Sequence, residues 1–297
     1  VDLHPPRRDG LVIVSDREPP SDVWRCALDL GADHAAVLPA DESRLVISLS
    51  GFRTPRRHPA GAIAVLGGHG GAGATTLAAA VALTAVDNGE RVLLLDTDSL
   101  GAGIDLTLGV EARSGLRWQD LSVESGTVSG PALHEALPRA NDRLSVLAPR
   151  RDDSRPIRAD AVAATIDAGR ANGDVVVVDM PRGDPAIARV VADCVDLIAV
   201  LTGATVSCCA ATRNTVSRLV GQSVDAGLVI RGPAPSGLRA GEIADAVGLG
   251  LLTSYRSDPR LPVLLDAGRL SVRPRSPLGR AASAIWRRVD SDDRLVA

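Results

Sequence analysis

Between Ala60 and Val86 the chain carries no Asp, Glu, Lys or Arg, a run long enough to suggest a membrane span, yet five glycines lie between Gly67 and Gly73. Glycine at that density ends any continuous helix, because each one adds backbone freedom that folding must remove. The stretch therefore divides into a short apolar strand at 63–66, a turn of sequence Gly67-Gly-His-Gly-Gly-Ala-Gly-Ala-Thr-Thr76, and an alanine-rich helix at 75–88. A glycine turn that leaves a strand and opens a helix is an anion cradle. Its consecutive amides can turn toward one point, and the helix N-terminus adds partial positive charge.

Three templates fit this turn. Against GxxxxGK[ST], the residues Gly68, Gly73 and Thr75 match while the lysine position holds Ala74. All 33 positively charged residues are arginine, so chemistry that needs a lysine is excluded throughout. Phosphate binding would then rest on the segment Gly68, His69, Gly70, Gly71, Ala72, Gly73, Ala74, Thr75 and Thr76. Gly68-His-Gly70-Gly-Ala-Gly73 is also a GxGxxG, with Asp96 following about twenty residues later, as in a dinucleotide-binding oxidoreductase. The third template is a plain glycine-rich turn.

Two carboxylate clusters sit at the ends of aliphatic runs: Asp96-Thr97-Asp98 after 92–95, and Asp179-Met-Pro-Arg182 after 175–178. One aspartate in such a place reads equally well as a helix cap. Two of them beside a phosphate loop point to Mg2+ and water handling, with Thr75 as a metal ligand and Asp179 acting through a water. Arg182 either supplies a cation to the phosphates or is a surface ion-pair partner.

The remaining chain repeats the alternation. Strands are expected at 63–66, 92–95, 144–147, 175–178, 197–201, 228–230 and 250–253, and helices at 75–88, 160–172, 186–193, 208–220 and 240–247. Near-continuous aliphatic strands belong to a parallel sheet covered on both faces, hence a doubly wound, mostly parallel α/β domain over 61–290, with a tail at 291–297. Residues 1–52 form a βαβα piece, with strands at 11–14 and 34–38 and helices at 21–30 and 41–49, joined by a charged linker at 53–60. Near the end, Leu278, Ala281, Ala282, Ile285, Trp286 and Val289 share one helical face. That face reads either as a helix docked on the sheet or as a weak membrane-surface helix. Cys26, Cys194, Cys208 and Cys209 show no metal or redox spacing, which suits a reducing, cytoplasmic setting. A formal charge of −3 gives no global reason to bind nucleic acid. Val1 leaves open a longer natural chain.

These motifs together resemble the deviant Walker ATPases of the MinD/ParA superfamily. Within it, the likeness is to the CpaE/TadZ-like group and to the actinobacterial septum-site-determining (Ssd) branch. The likeness covers about 61–269, while 1–52 resembles the last third of a response-regulator receiver domain without its phosphoacceptor. The resemblance implies a P-loop fold, ATP or ADP with Mg2+, and a homodimer that works with cell-division or Tad-type assembly proteins, placed in the cytoplasm or at the inner face of the plasma membrane. It implies that His69 stands where the family has its signature lysine, that Asp98 and Asp96 are the catalytic candidates, and that Thr75 and Asp179 attend the metal. Arg231 falls near the base-contacting pair. With both lysines replaced, hydrolysis is expected to be weak or absent. A family-type ATPase using arginine instead is the alternative.

Overall fold

The computed structural model describes residues 12–17, 34–39, 41, 42, 45, 61–121, 130–218 and 224–295. The chain forms two compact units, Val1–Arg57 and His58–Ala297. In the first, strands β1 (Val12–Ser15) and β2 (His34–Val37) pair in parallel, with Val12 opposite His34. Asp41 accepts a hydrogen bond from the Val37 amide through Oδ2 at 2.8 Å, tying down the turn after β2. The helix expected at 21–30, most of that at 41–49, and the linker at 53–60 lie outside the described residues.

The second unit is built on an eight-stranded sheet. Its strands are β3 (Ala62–Gly67), β4 (Val92–Asp96), β5 (Arg139–Asn141), β6 (Leu144–Leu147), β7 (Val175–Met180), β8 (Leu197–Gly203), β9 (Asp225–Gly232) and β10 (Leu251–Arg256). Their spatial order is β10-β9-β8-β3-β7-β4-β6-β5. All neighbours run parallel except β5 and β6. The helices are α1 (Ala74–Asp87), α2 (Ile104–Leu108), α3 (Gly130–Ala136), α4 (Ala159–Ala171), α5 (Pro185–Cys194), α6 (Val206–Val216), α7 (Ala240–Val247), α8 (Leu261–Asp266) and α9 (Pro277–Leu295).

Strand pleating sorts the core into two layers. Ala62, Ala64 and Leu66 of β3 and Val176 and Val178 of β7 face the layer holding Ile166 of α4, Ile187 of α5 and Ile243 of α7. Ile63, Val65, Val175 and Val177 face the opposite layer, against α1 and α9. Side chains two apart share a face. Asp179 therefore follows Val175 and Val177 onto the α1 side, and Asp96 follows Val92 and Leu94 to the same side.

α1 is buried along most of its length, from Leu77 to Ala82 continuously. Its alanines let it lie close to both the sheet and α9. The apolar face of α9, with Leu278, Ala281, Ala282, Ile285, Trp286 and Val289, is itself buried in this layer. Its lipid-facing reading is thereby corrected, since that surface is already spent on the fold. α9 also runs to Leu295, past the expected end of the domain at 290, because no glycine or proline interrupts it after Gly279. No described helix is long and apolar enough to cross a membrane.

Candidate phosphate and metal site

The glycine turn links β3 to α1 at the carboxyl edge of the sheet, where open α/β sheets bind ligands. Gly73 is the N-cap of α1 with φ +98°, and Gly71 has φ +72°, a backbone region that glycine enters without penalty. The turn is closed by the Ala72 amide donating to the His69 carbonyl at 3.3 Å and by Leu77 donating to Gly73 at 3.0 Å. The amides of Gly70, Gly71, Gly73, Ala74, Thr75 and Thr76 meet no acceptor among the described residues. They are a bank of free donors at a helix N-terminus. No side chain caps α1, so an anion is the natural acceptor.

The loop is anchored from behind by α6. A Cβ on Gly68 would lie 2.2 Å from the Thr212 hydroxyl, so only glycine permits this approach. Thr215 donates its hydroxyl to the Gly68 carbonyl at 2.9 Å. The Gly68 amide donates to Leu201 of β8 at 2.8 Å. His69 is turned toward the same side. Its Nε2 accepts the Gly203 amide at 2.9 Å and its Nδ1 lies 2.8 Å from the Gly70 carbonyl. Both ring nitrogens are thus engaged by backbone, with Nδ1 carrying the proton, and the His69 side chain works as a strut between loop and β8.

Behind the loop stand the two acids. Asp96 and Asp179 are directly opposite each other on β4 and β7, and both are buried. Asp96 accepts amides from Asp98 at 3.1 Å and from Ile104 at 2.8 Å. Burial nevertheless pushes its pKa up to about 7, with the charges of Asp98 and Asp105 adding to the rise. Burial and then the charge of Asp96 hold the Asp179 pKa well above the ordinary range, relieved in part by a hydrogen bond to Thr75. Thr97 fixes the pair by donating its amide and hydroxyl to the Asp179 carbonyl, at 3.1 and 2.7 Å. Trp118 donates its indole N–H to the Asp96 carbonyl at 2.6 Å. Asp98 is half-buried, outside this pair, and its Oδ1 accepts the Leu100 amide at 3.1 Å.

Thr75, Asp96, Asp98 and Asp179 are thus gathered beside the loop. Among the described residues no three or more His, Cys, Asp or Glu side chains could hold a metal alone. A metal here would draw remaining ligands from Thr75, water and phosphate, as Mg2+ commonly does. Arg231, from the end of β9, donates Nη2 to the Gly71 carbonyl at 3.0 Å, resting on the loop itself.

Residues that the sequence did not single out complete the surroundings. α2 presents the Ile104 amide to Asp96, and its Asp105 is buried against Arg117 and Arg151. One oxygen of Asp105 and one nitrogen of Arg117 lack a hydrogen-bond partner. The N-cap of α6 is Thr205, whose hydroxyl accepts the Cys208 amide at 3.3 Å, which starts that helix earlier than expected. The dinucleotide template fails on topology: its first two strands must be neighbours, whereas β7 separates β3 from β4.

A protein of Mycobacterium tuberculosis, Rv3660c, is 38% identical over 283 residues, spanning 94% of this chain and 79% of its own length. The chain belongs to the Rv3660c-like family. Residues 1–61 match the family model described as the Rv3660c-like, CheY-like N-terminal domain. Among solved structures, the septum site-determining protein MinD of Pyrococcus horikoshii, complexed with Mg-ADP, has a TM-score of 0.63 at 20% identity. That match covers 80% of this chain and 99% of MinD. A ParA-family ATPase from Chlorobium tepidum gives 0.66 at 16% identity, covering 76% and 97%. This member of the Rv3660c-like family therefore carries the MinD/ParA form of the P-loop fold behind its receiver-like segment.

Proposed function

We propose that the chain is a nucleotide-responsive positioning protein, of the kind that determines septum sites or organises polar assemblies. It binds ATP with Mg2+ and hydrolyses it weakly or not at all. The observation that supports this most is the pair Asp96 and Asp179, buried together behind a bank of free amides, with neither acid in an ion pair among the described residues. Bound Mg2+ would supply the offsetting charge, joining Thr75 and the acids to the phosphates. The residues of the loop bind and orient the phosphates through backbone donors. Ala74 brings no charge to them, and His69, held by Gly203 and Gly70, does not reach out of its own subunit. Slow or absent turnover follows, so the work is done by conformation and by partners, including a second copy of the chain and division or assembly proteins.

Equilibrium titration with ATP, with and without Mg2+, and with NAD tests this reading. ATP is expected to bind only with Mg2+, and NAD not at all. Gly73→Val should abolish binding, since its side chain would meet Arg231 and a φ of +98° is strained for a β-branched residue. Binding that survives this change would place the site elsewhere.

A further inference from the structure

With no lysine in the chain, a permanent side-chain charge for a polyphosphate can come only from arginine, and two guanidinium groups flank the loop. Arg231 approaches from β9, with Nη1 3.0 Å from the point where a Cβ on Gly73 would sit. Its Nη2 is already oriented by the Gly71 carbonyl, which leaves its other N–H groups free. Arg182 approaches from the end of β7, with Nη2 3.6 Å from the corresponding point on Gly70. Arg182 is exposed and has no hydrogen-bond or ion-pair partner among the described residues. Arginines of the opposite half of the sheet behave differently. Arg150, Arg151 and Arg158 are each engaged with an aspartate.

We infer that Arg182 and Arg231 supply the phosphate-binding charge that Ala74 and His69 do not. This rests on the nucleotide reading above. Their positions divide the task. Gly73 is the helix N-cap, where amides and helix dipole meet the phosphate nearer the nucleoside. Gly70 lies on the outer turn, three residues before the N-cap, and is the part of the loop that Arg182 reaches from the same carboxyl end of β7 that carries Asp179, the acid that would attend Mg2+ and the last phosphates. Arg182 is thus the residue for the terminal phosphate and distinguishes tri- from diphosphate. Arg231 grips both. A guanidinium presents a planar fork of donors suited to phosphate oxygens, so arginine can replace lysine from a different point of attachment.

The test is a titration of the full chain with fluorescent methylanthraniloyl-ATP and -ADP in Mg2+. It compares wild type with Arg182→Ala, Arg182→Lys, Arg231→Ala and, as a charge-matched control on the amino side of the sheet, Arg143→Ala. Arg182→Ala should weaken ATP about ten- to a hundredfold and ADP less than about threefold. Arg182→Lys should recover part of the ATP loss, Arg231→Ala should weaken both nucleotides about tenfold, and Arg143→Ala neither. Unfolding midpoints establish that each variant is folded, and Arg182→Gln replaces the alanine variant if that one is not. Equal losses of ATP and ADP in Arg182→Ala overturn the assignment, as does unchanged binding in it. Should both arginine variants bind like wild type while Gly73→Val does not, this inference fails and the nucleotide site stands. A wild-type chain that binds neither nucleotide overturns both.

Discussion

β7 has a buried aspartate at each end, and the two have opposite characters. Asp174, immediately before the strand, is completely buried but meets three donors: His134 Nε2 at 2.7 Å, Asn172 Nδ2 at 2.9 Å and Arg91 Nε. Burial alone would raise its pKa, yet these hydrogen bonds and the nearby His134 outweigh it and hold the carboxyl below its ordinary value. Asp179, five residues on, has a threonine hydroxyl and another buried aspartate for company, and its pKa is raised. The first carboxylate is finished by the fold. The second is not completed by an ion pair, and on the reading proposed above it is left for a bound cation.

The largest effect is expected where the fold has completed the interaction. Asp174→Ala removes the acceptor that joins α3, through His134, to the start of β7 and to Arg91 before β4. Breaking such a buried pair should cost about 3 kcal/mol, at the low end because Arg91 is half-exposed and can rehydrate. Urea unfolding at pH 7 measures it. The sign with pH follows from the depressed pKa: the contribution is present above the ordinary carboxylate value and is lost as pH falls through the lower folded one. A wild-type stability that did not decline more steeply in acid than that of the variant would contradict this account. The Ser145 hydroxyl 2.6 Å from His134 Nδ1 completes an apparent Ser-His-Asp series. With Ser145 itself buried, it has no route to a substrate.

At the other end, charge can be restored rather than removed. Ala74→Lys places a flexible cation at the first residue of α1 without disturbing the glycines around it. One charge-assisted contact to phosphate is worth about 1.5–3 kcal/mol, so ATP affinity should rise roughly ten- to a hundredfold. Hydrolysis should improve less, because His69 remains engaged with Gly203. A folded lysine variant with unchanged ATP affinity would mean that the loop is a structural turn.

How far this contrast could be read from sequence depended on range. Strands β3, β4, β7 and β8 were legible because both faces of each are buried, which leaves nearly unbroken aliphatic runs. The loop was legible because glycines at these positions do what no other residue can. Even the convergence of Asp96 and Asp179 follows from strand parity once the strands are placed. What was not legible depends on distant partners. His69 is fixed by Gly203, 134 positions away, and His134 finds Asp174 across 40. α2 has five residues and no periodicity to reveal it. It is positioned by the amide that Asp96 accepts and by the two arginines that hold Asp105.

Asp179→Asn should separate stability from function at the unfinished end. Replacing a buried acid, whose charged form burial and Asp96 both disfavour, with a neutral amide is expected to stabilise the nucleotide-free protein by about 2 kcal/mol. The same change should remove the Mg2+ dependence of ATP binding. Thermal unfolding with and without Mg-ATP reads both. A variant less stable than wild type in the absence of nucleotide would show that Asp179 belongs with Asp174 as a structural acid.

The smallest effect needs no substitution and sets the two ends against each other by pH alone. Asp96 has a folded pKa of about 7 against an ordinary value of 3.8, so between those values the folded chain holds a proton that the unfolded chain has released. Stability is therefore gained as pH falls through 7 and lost as it rises, by about 1.4 kcal/mol between pH 6 and pH 8. Metal binding runs the other way, because Mg2+ must displace that proton, and Mg-ATP affinity should drop roughly tenfold from pH 8 to pH 6. Asp174 contributes to neither change, since its titration lies entirely below this window. Unfolding and Mg-ATP titrations at the two pH values should thus move in opposite directions in wild type, and in Asp96→Asn both dependences should flatten. If stability and affinity instead declined together toward pH 6, the proton would reside on some other group, and the unfinished character assigned to this end of the sheet would have to be sought outside the Asp96–Asp179 pair.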